Sequence, residues 1–158
     1  MTRLLVAAVG RPRIPGLRDA IHEYEGRLRH YFKFESVEIP GAGLADTRAA
    51  EAREREGRSL SRKLSTDLRL IALTRDGTPW STQELASHLG DMLDYGEPGA
   101  AFAVGGAHGL APELVERASI RLRLSRLTLP HELARLILTE QLYRAGTILR
   151  GEPYHKGP

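Results

Sequence analysis

The sequence predicts an α/β domain built on a mainly parallel sheet flanked by helices. Two observations carry that prediction. Short apolar β-type runs alternate along the chain with segments of helical period, and such alternation builds βαβ units. No repeat, low-complexity stretch or linker interrupts it, so residues 1–158 are expected to form a single domain.

Strands are expected at "LLVAAV" (4–9), "FESVEI" (34–39), "LRLIAL" (68–73), "AAFAV" (100–104) and "IRLRL" (120–124). Between the first two, Leu17, Ile21, Tyr24, Leu28 and Phe32 recur at intervals of three or four, which makes one helix face apolar. The charged segment "ADTRAAEAREREGRSLSRKL" is helix-prone and is expected to begin near a capping Asp46. Ser81 and Glu84 form a capping-box pattern ahead of Leu85, Leu89, Met92 and Leu93, and Gly96 suits the stop. Pro112 and Pro130 stand where first helical turns begin, and the last helix is expected from about Pro130 to Leu149. The segments "TRDGTPWS" and "GGAHGLAP" then fall as loops at strand C-terminal ends, where open α/β sheets bind ligands.

Composition excludes several classes of function. No apolar run approaches the roughly 18 residues of a membrane span. The first residues, "MTRLLVAAVGRPRIPG", lack the apolar length and cleavage pattern of a signal peptide, and a cytoplasmic protein is expected. Without cysteine there is no disulfide, thiol nucleophile or thiolate metal site. Histidines at 22, 30, 88, 108, 131 and 155 show no ligand spacing, so no metal is expected. Dinucleotide-binding, P-loop and nucleophile-elbow motifs are all missing.

Charge is more informative when divided. From Arg117 onward, eight Arg and Lys face three Asp and Glu, a balance of +5, while the preceding residues sum to −2. Twenty of the 23 basic residues are Arg, which forks onto phosphate oxygens. This is the footprint of either a polyanionic partner or a solvated basic surface.

Two further features leave alternatives open on the residues alone. In the last helix Leu133, Ile137 and Ile148 mark one apolar stripe and Leu138, Leu142 and Leu149 another. One buried face needs one stripe, so the second means deep burial or a second copy of the chain. Beyond that helix, "PYHKGP" ends the sequence with Tyr154, His155 and Lys156, which position alone reads as a frayed end.

Taken together, "LIALTRDGTPWST", "FAVGGAHGL" and "LSRLTLPHELARLILTEQLYRAGTILRGEPYHKG" resemble the SPOUT-class methyltransferases that act on N3 of a pseudouridine in large-subunit ribosomal RNA. "LTLPHELAR", "EQLYRA" and "PYHK" are the most specific parts, and the likeness runs essentially the whole chain. Departures are "GGAHG" in the glycine loop and Thr74 where an acidic residue often follows the leucine. The resemblance implies a deep C-terminal trefoil knot, with knot and cofactor site roughly within residues 70–158. It implies that Leu73, Gly105, Leu124, Ser125, Arg126, Leu127, Thr128 and Leu129 line an S-adenosylmethionine site, with Gly105 keeping ligand space clear. It further implies a homodimer with its active site at the subunit interface, and 23S rRNA in the assembled ribosome as substrate. His155, Tyr154 and Arg144 are the catalytic candidates, with Lys156 as a phosphate or imide contact. His155 stands either as general base or as the group orienting the nucleobase. The tail then reads as a closing lid. The rival readings are a SPOUT methyltransferase for another RNA such as tRNA, and a non-catalytic RNA-binding or ribosome-associated module.

Overall fold

The computed structural model describes residues 1–158 and places five strands in one sheet, all parallel. In chain order the elements are β1 (Arg3–Val9), α1 (Pro15–Leu28), β2 (Lys33–Ile39), a single 3-10 turn (Asp46–Arg48) and α2 (Ala49–Lys63). They continue as β3 (Arg69–Pro79), α3 (Thr82–Asp94), β4 (Gly99–Val104), α4 (Pro112–Arg117), β5 (Ile120–Arg123) and α5 (His131–Leu149). The strand order is β2-β1-β4-β3-β5, which puts β1 and β4 at the centre and β5 at an edge.

Both faces of the sheet are covered, so the central strands read as continuous apolar runs rather than as alternating ones. Leu4, Val6 and Ala8 of β1 join Phe102 of β4 in a core with Leu28, Leu89, Met92, Leu138 and Leu142 from α1, α3 and α5. The intervening Leu5, Ala7 and Val9 pack on the other face with Leu60 of α2 and Leu114 of α4. Helices α3 and α4, which follow the adjacent strands β3 and β4, therefore leave toward opposite faces. A crevice opens between their loops at the C-terminal edge of the sheet.

Helix α5 packs against both α1 and α3. This accounts for much of its doubled apolar pattern without a partner. Leu138 and Leu142 are fully buried and Ile148 packs on the same core, while Leu133 and Ile137 are half-buried. Only Leu149 of the two stripes is exposed, at 41%. The same helix carries a buried cation. Arg135, 3% exposed, donates to Glu38 at 2.8 Å and to Glu25 at 3.3 Å, tying α5 to β2 and α1.

Several elements differ from the sequence-based expectation. Helix α1 stops at Leu28, and Phe32 is buried from the following turn rather than from the helix. Asp46 opens the 3-10 turn, so α2 proper begins at Ala49 with Arg48 at its N-cap and no side-chain cap. Pro130 sits at the N-cap of α5 rather than inside its first turn. The Ser81 capping box forms in full, and Gly96, at φ +70°, lies just beyond the end of α3. The largest difference is in β3, which does not end at Leu73. Leu73 pairs with Leu122, the chain leaves the ladder over residues 74–77, and Thr78 returns to the same Leu122. Gly77 permits that return, because a Cβ there would lie 2.6 Å from the carbonyl oxygen of Arg121.

Candidate active site

A cleft of about 970 Å³ occupies the C-terminal edge of the sheet. Three segments enclose it: the 74–77 excursion of β3, the glycine loop after β4, and residues 124–130, which cross from the edge strand β5 to α5. The crossing is wide. Its far end is anchored where Glu132 accepts the backbone N–H of Arg13, in the loop that follows β1, at 2.9 Å. Near its start the hydroxyl of Ser125 accepts the N–H of Leu127 at 2.9 Å.

The glycine loop folds on itself. Gly109, at φ +80°, donates its N–H to the carbonyl of Gly106 at 3.1 Å. A Cβ on Gly105 would stand 2.7 Å from the carbonyl carbon of Gly109 and 3.0 Å from the nitrogen of Leu110. What a side chain there meets first is the backbone of its own loop. From behind, Arg53 donates to the carbonyl of His108 at 3.3 Å, and His108 Nε2 lies 3.3 Å from the carbonyl of Leu44. That carbonyl only accepts, so Nε2 carries the proton. Gly105→Val is accordingly expected to spring this loop open and abolish ligand binding in the cleft, while the sheet and helices still unfold cooperatively. Calorimetric titration together with thermal unfolding checks both halves.

All eight residues expected at a cofactor site, Leu73, Gly105 and Leu124–Leu129, line this one cleft. Its volume is that of a pocket for a nucleoside-sized ligand. Its wall combines the apolar Leu73, Val104, Leu110 and Leu129 with the main chain of the glycine loop and the crossing segment. Two buried polar atoms on the wall, Thr74 Oγ1 and Arg123 Nε, have no partner within the chain. An apolar wall, main-chain donors and acceptors, and unmatched polar atoms fit a flat heteroaromatic ligand with a polar tail.

The other candidates gather elsewhere. Arg144 donates through Nε and Nη2 to one oxygen of Glu140, at 3.0 and 2.5 Å, and Tyr154 donates its hydroxyl to that oxygen at 3.1 Å. The guanidinium of Arg144 lies 4.8 Å from the centre of the Tyr154 ring, and that ring packs on Tyr143 at 4.6 Å. His155 stands between two side chains, with Nδ1 3.4 Å from Arg144 and Nε2 3.2 Å from the amide of Gln83. Lys156 is exposed. The Glu140 carboxylate raises the pKa of Arg144, so its guanidinium stays charged. Burial, then the Tyr24 hydroxyl and the Glu140 charge, push the Tyr154 phenol well above its ordinary value.

Sequence reasoning missed Glu140, although its i,i+4 spacing to Arg144 was a readable signal. Gln83 and Tyr24 come from α3 and α1, and nothing in their local sequence marks them.

These two groups do not meet. His131 at the start of α5 lines the cleft, whereas Arg144 lies thirteen residues further on, about 20 Å along the helix axis. No tail residue borders the cleft.

A second tyrosine ties the segment after α5 to the turn that follows α1. Tyr31 donates to Glu152 at 2.5 Å, a bond that raises its pKa to about 12. A raised pKa stabilises the fold while the unfolded phenol is still protonated. That contribution is complete below about pH 10 and lost as pH climbs toward 12. In an alkaline titration followed by phenolate absorbance, Tyr31 and Tyr154 are expected to ionise last. Glu152→Gln should bring Tyr31 forward.

Residues 2–155 match the family model described as "Predicted SPOUT methyltransferase". A protein of Gemmatimonas aurantiaca named "Ribosomal RNA large subunit methyltransferase H" is 45% identical over 157 residues, covering 98% of this chain and 99% of that one. One of the same name from an Anaeromyxobacter species is 47% identical over 154 residues, with the same coverage of each chain. Among solved structures, a probable methyltransferase from Bordetella pertussis superimposes with a TM-score of 0.57 at 20% identity, over 92% of this chain and 95% of that one, a likeness of fold. With sequence, sheet and cleft in agreement, the chain belongs to the SPOUT methyltransferase family.

Proposed function

We propose that this chain transfers a methyl group from S-adenosylmethionine to N3 of a pseudouridine in 23S rRNA, on the assembled ribosome in the cytoplasm. One observation carries the reading. Leu73, Gly105 and Leu124–Leu129 converge on one cleft in a chain alike over nearly its full length to proteins named for large-subunit rRNA methylation. On this reading residues 1–158 act as one domain, with the trefoil knot formed within residues 70–158. The long crossing from the edge strand to α5 supports that threading.

When bound, S-adenosylmethionine supplies a methyl group on a sulfonium, an electrophile that needs no further activation. The chain's own tasks are to hold ligands, exclude water and manage one proton. The main chain of Gly105 and of Leu124–Leu129 would hold the cofactor, with Leu73 against its flat face. N3 of the base lies between two carbonyls and carries a proton at neutral pH, so it must lose that proton to become a nucleophile. His155 and Tyr154 are the groups assigned to engage the base, and the Arg144 guanidinium, fixed by Glu140, is poised for its oxygens.

The gap of about 20 Å along α5 keeps the tail of one copy away from its own cleft in the resting fold. The separation favours a homodimer in which the tail of one copy closes over the cleft of the other. Leu127, 77% exposed on the cleft wall, and Ile14, 58% exposed, are apolar surface for such a contact. A complementation experiment follows. A copy truncated after Pro153 is mixed with a full-length Gly105→Val copy. Each is inactive alone, and the mixture is expected to recover about a quarter of wild-type methyl transfer, because half the random dimers hold one intact composite site. No recovery in a mixture shown to contain heterodimers would place tail and cleft in the same copy and contradict the dimer reading.

The function itself is tested by mass-mapping 23S rRNA from cells with and without the protein. A single N3-methylated pseudouridine should lose its methyl group in the deletion strain. Intact rRNA methylation alongside a changed tRNA would redirect the assignment. Failure of the purified protein to bind S-adenosylmethionine would reduce it to a binding module.

A further inference from the structure

The rim of the cleft carries a cluster of positive charge that the chain itself leaves unanswered. Arg75 sits on the 74–77 excursion, and Arg121 and Arg123 lie on β5 with Leu122 facing inward between them. Arg75 and Arg121 are exposed. The excursion brings their backbones together, since it returns at Gly77 directly against the carbonyl of Arg121. Arg48, Arg55, Arg58, Arg69 and Arg144 each lie 2.5–2.9 Å from a carboxylate, whereas the rim arginines, like Arg29 and Arg62 on distant surfaces, have none. At the rim, Asp76 and Glu116 are present, yet neither reaches a guanidinium, and the buried Nε of Arg123 has no partner at all. Like charges held together without counter-ions raise the local potential and favour an arriving anion. Guanidinium groups fork onto phosphate oxygens in particular.

We infer that Arg75 and Arg121, with Arg123 beneath them, form a phosphate clamp that grips the RNA backbone beside the target nucleotide. The inference rests on the proposed function for the kind of anion and goes beyond it by locating the contact. The β3 excursion is then a substrate-binding device that delivers Arg75 to the mouth of the cleft. Arg126 shares the rim, but its main chain belongs to the assigned cofactor segment, so the test leaves it untouched.

The experiment compares wild type with the double variants R75A/R121A and R75K/R121K, and with R29A/R62A as a control remote from the cleft. Binding to purified ribosomes is measured across a salt series, and S-adenosylmethionine affinity by calorimetry. Each lost phosphate contact reduces the slope of log affinity against log salt by about 0.7–0.9, so R75A/R121A should flatten it by roughly 1.4–1.8. It should also bind at least about tenfold more weakly at low salt, with cofactor affinity unchanged. The lysine variant should keep the slope, and R29A/R62A should match wild type. A wild-type slope in R75A/R121A overturns the clamp. So does a loss of S-adenosylmethionine affinity with the slope preserved, which would assign the arginines to the cofactor's carboxylate. Failure of the proposed function would register separately, as wild-type protein that binds ribosomes without methylating pseudouridine. The slope comparison reads binding alone and survives that outcome.

Discussion

Deleting Tyr154–Pro158 is expected to leave a folded, cofactor-binding chain whose methyl transfer falls by about 10²–10⁴-fold or more. The expectation of folding follows from what the tail touches. Its contacts are Tyr24, Tyr143, Glu140, Arg144 and Gln83, none of them fully buried, and it contributes no residue to either core. The expectation for cofactor binding follows from the cleft, whose wall contains no tail residue. What is lost is everything assigned to the base: the phenol of Tyr154, the imidazole of His155 and closure over the cleft. Truncation that leaves methyl transfer at the full-length rate would return the segment to a frayed end.

His155→Ala separates the two roles open to that side chain. Arginine can only donate, and so can the amide nitrogen of Gln83, so the resting geometry sets a donor against each ring nitrogen, Arg144 at Nδ1 and Gln83 at Nε2. A defect in the chemical step that stays constant as pH rises would assign His155 to orienting the nucleobase. A defect that shrinks at higher pH, where the base loses its proton without help, would assign His155 as the general base.

The largest stability effect is expected at Arg135. Its guanidinium is buried and answers two carboxylates, Glu25, itself 5% exposed, and Glu38. Arg135→Ala leaves the buried Glu25 without its cation and Glu38 with only the exposed Arg11, 3.4 Å away, and uncompensated buried charge costs about 3–5 kcal/mol. For a chain of this size that corresponds to a fall in Tm of roughly 10 °C. The triple change Arg135→Met, Glu25→Gln and Glu38→Gln should recover much of the loss, because removing a whole buried ion cluster is far cheaper than breaking it. Thermal unfolding of the two variants decides the matter. An Arg135→Ala protein within 1–2 °C of wild type would mean that water reaches the cluster and the charges are screened.

Much of the fold was readable because the relevant signals are local. Buried parallel strands appear as unbroken apolar runs such as "LLVAAV" and "AAFAV", and the Ser81–Glu84 box announces its helix within four residues. The β3 excursion was not readable. "TRDG" has the composition of an ordinary loop, and only the neighbouring strand, pairing Leu122 twice, draws the chain back into the ladder. The doubled stripe of α5 left burial and partnership open, and packing between α1 and α3 answers most of it within one copy. At the site, the cleft segments came from resemblance to a known family, and the tail cluster was half visible. Arg144, Tyr154 and His155 lie close together in sequence. Gln83 and Tyr24 arrive from α3 and α1, and such distant neighbours leave no mark on a local pattern.

The sheet order also sets a timetable for synthesis. β1 pairs in register with β4, Arg3 opposite Gly99, and the face bearing Leu4 and Val6 is closed only when α5 packs down. At roughly 5–20 residues per second, a ribosome needs about five to twenty seconds to proceed from β1 to β4. Throughout that interval a strand meant for the centre of the molecule has an unpaired edge and an uncovered apolar face. Contacts this distant in sequence form slowly even in the finished chain. Nascent chains stalled before α5 are therefore expected to be held by chaperones or to aggregate, and pulse-labelled intermediates released at residue 130 should stay protease-sensitive.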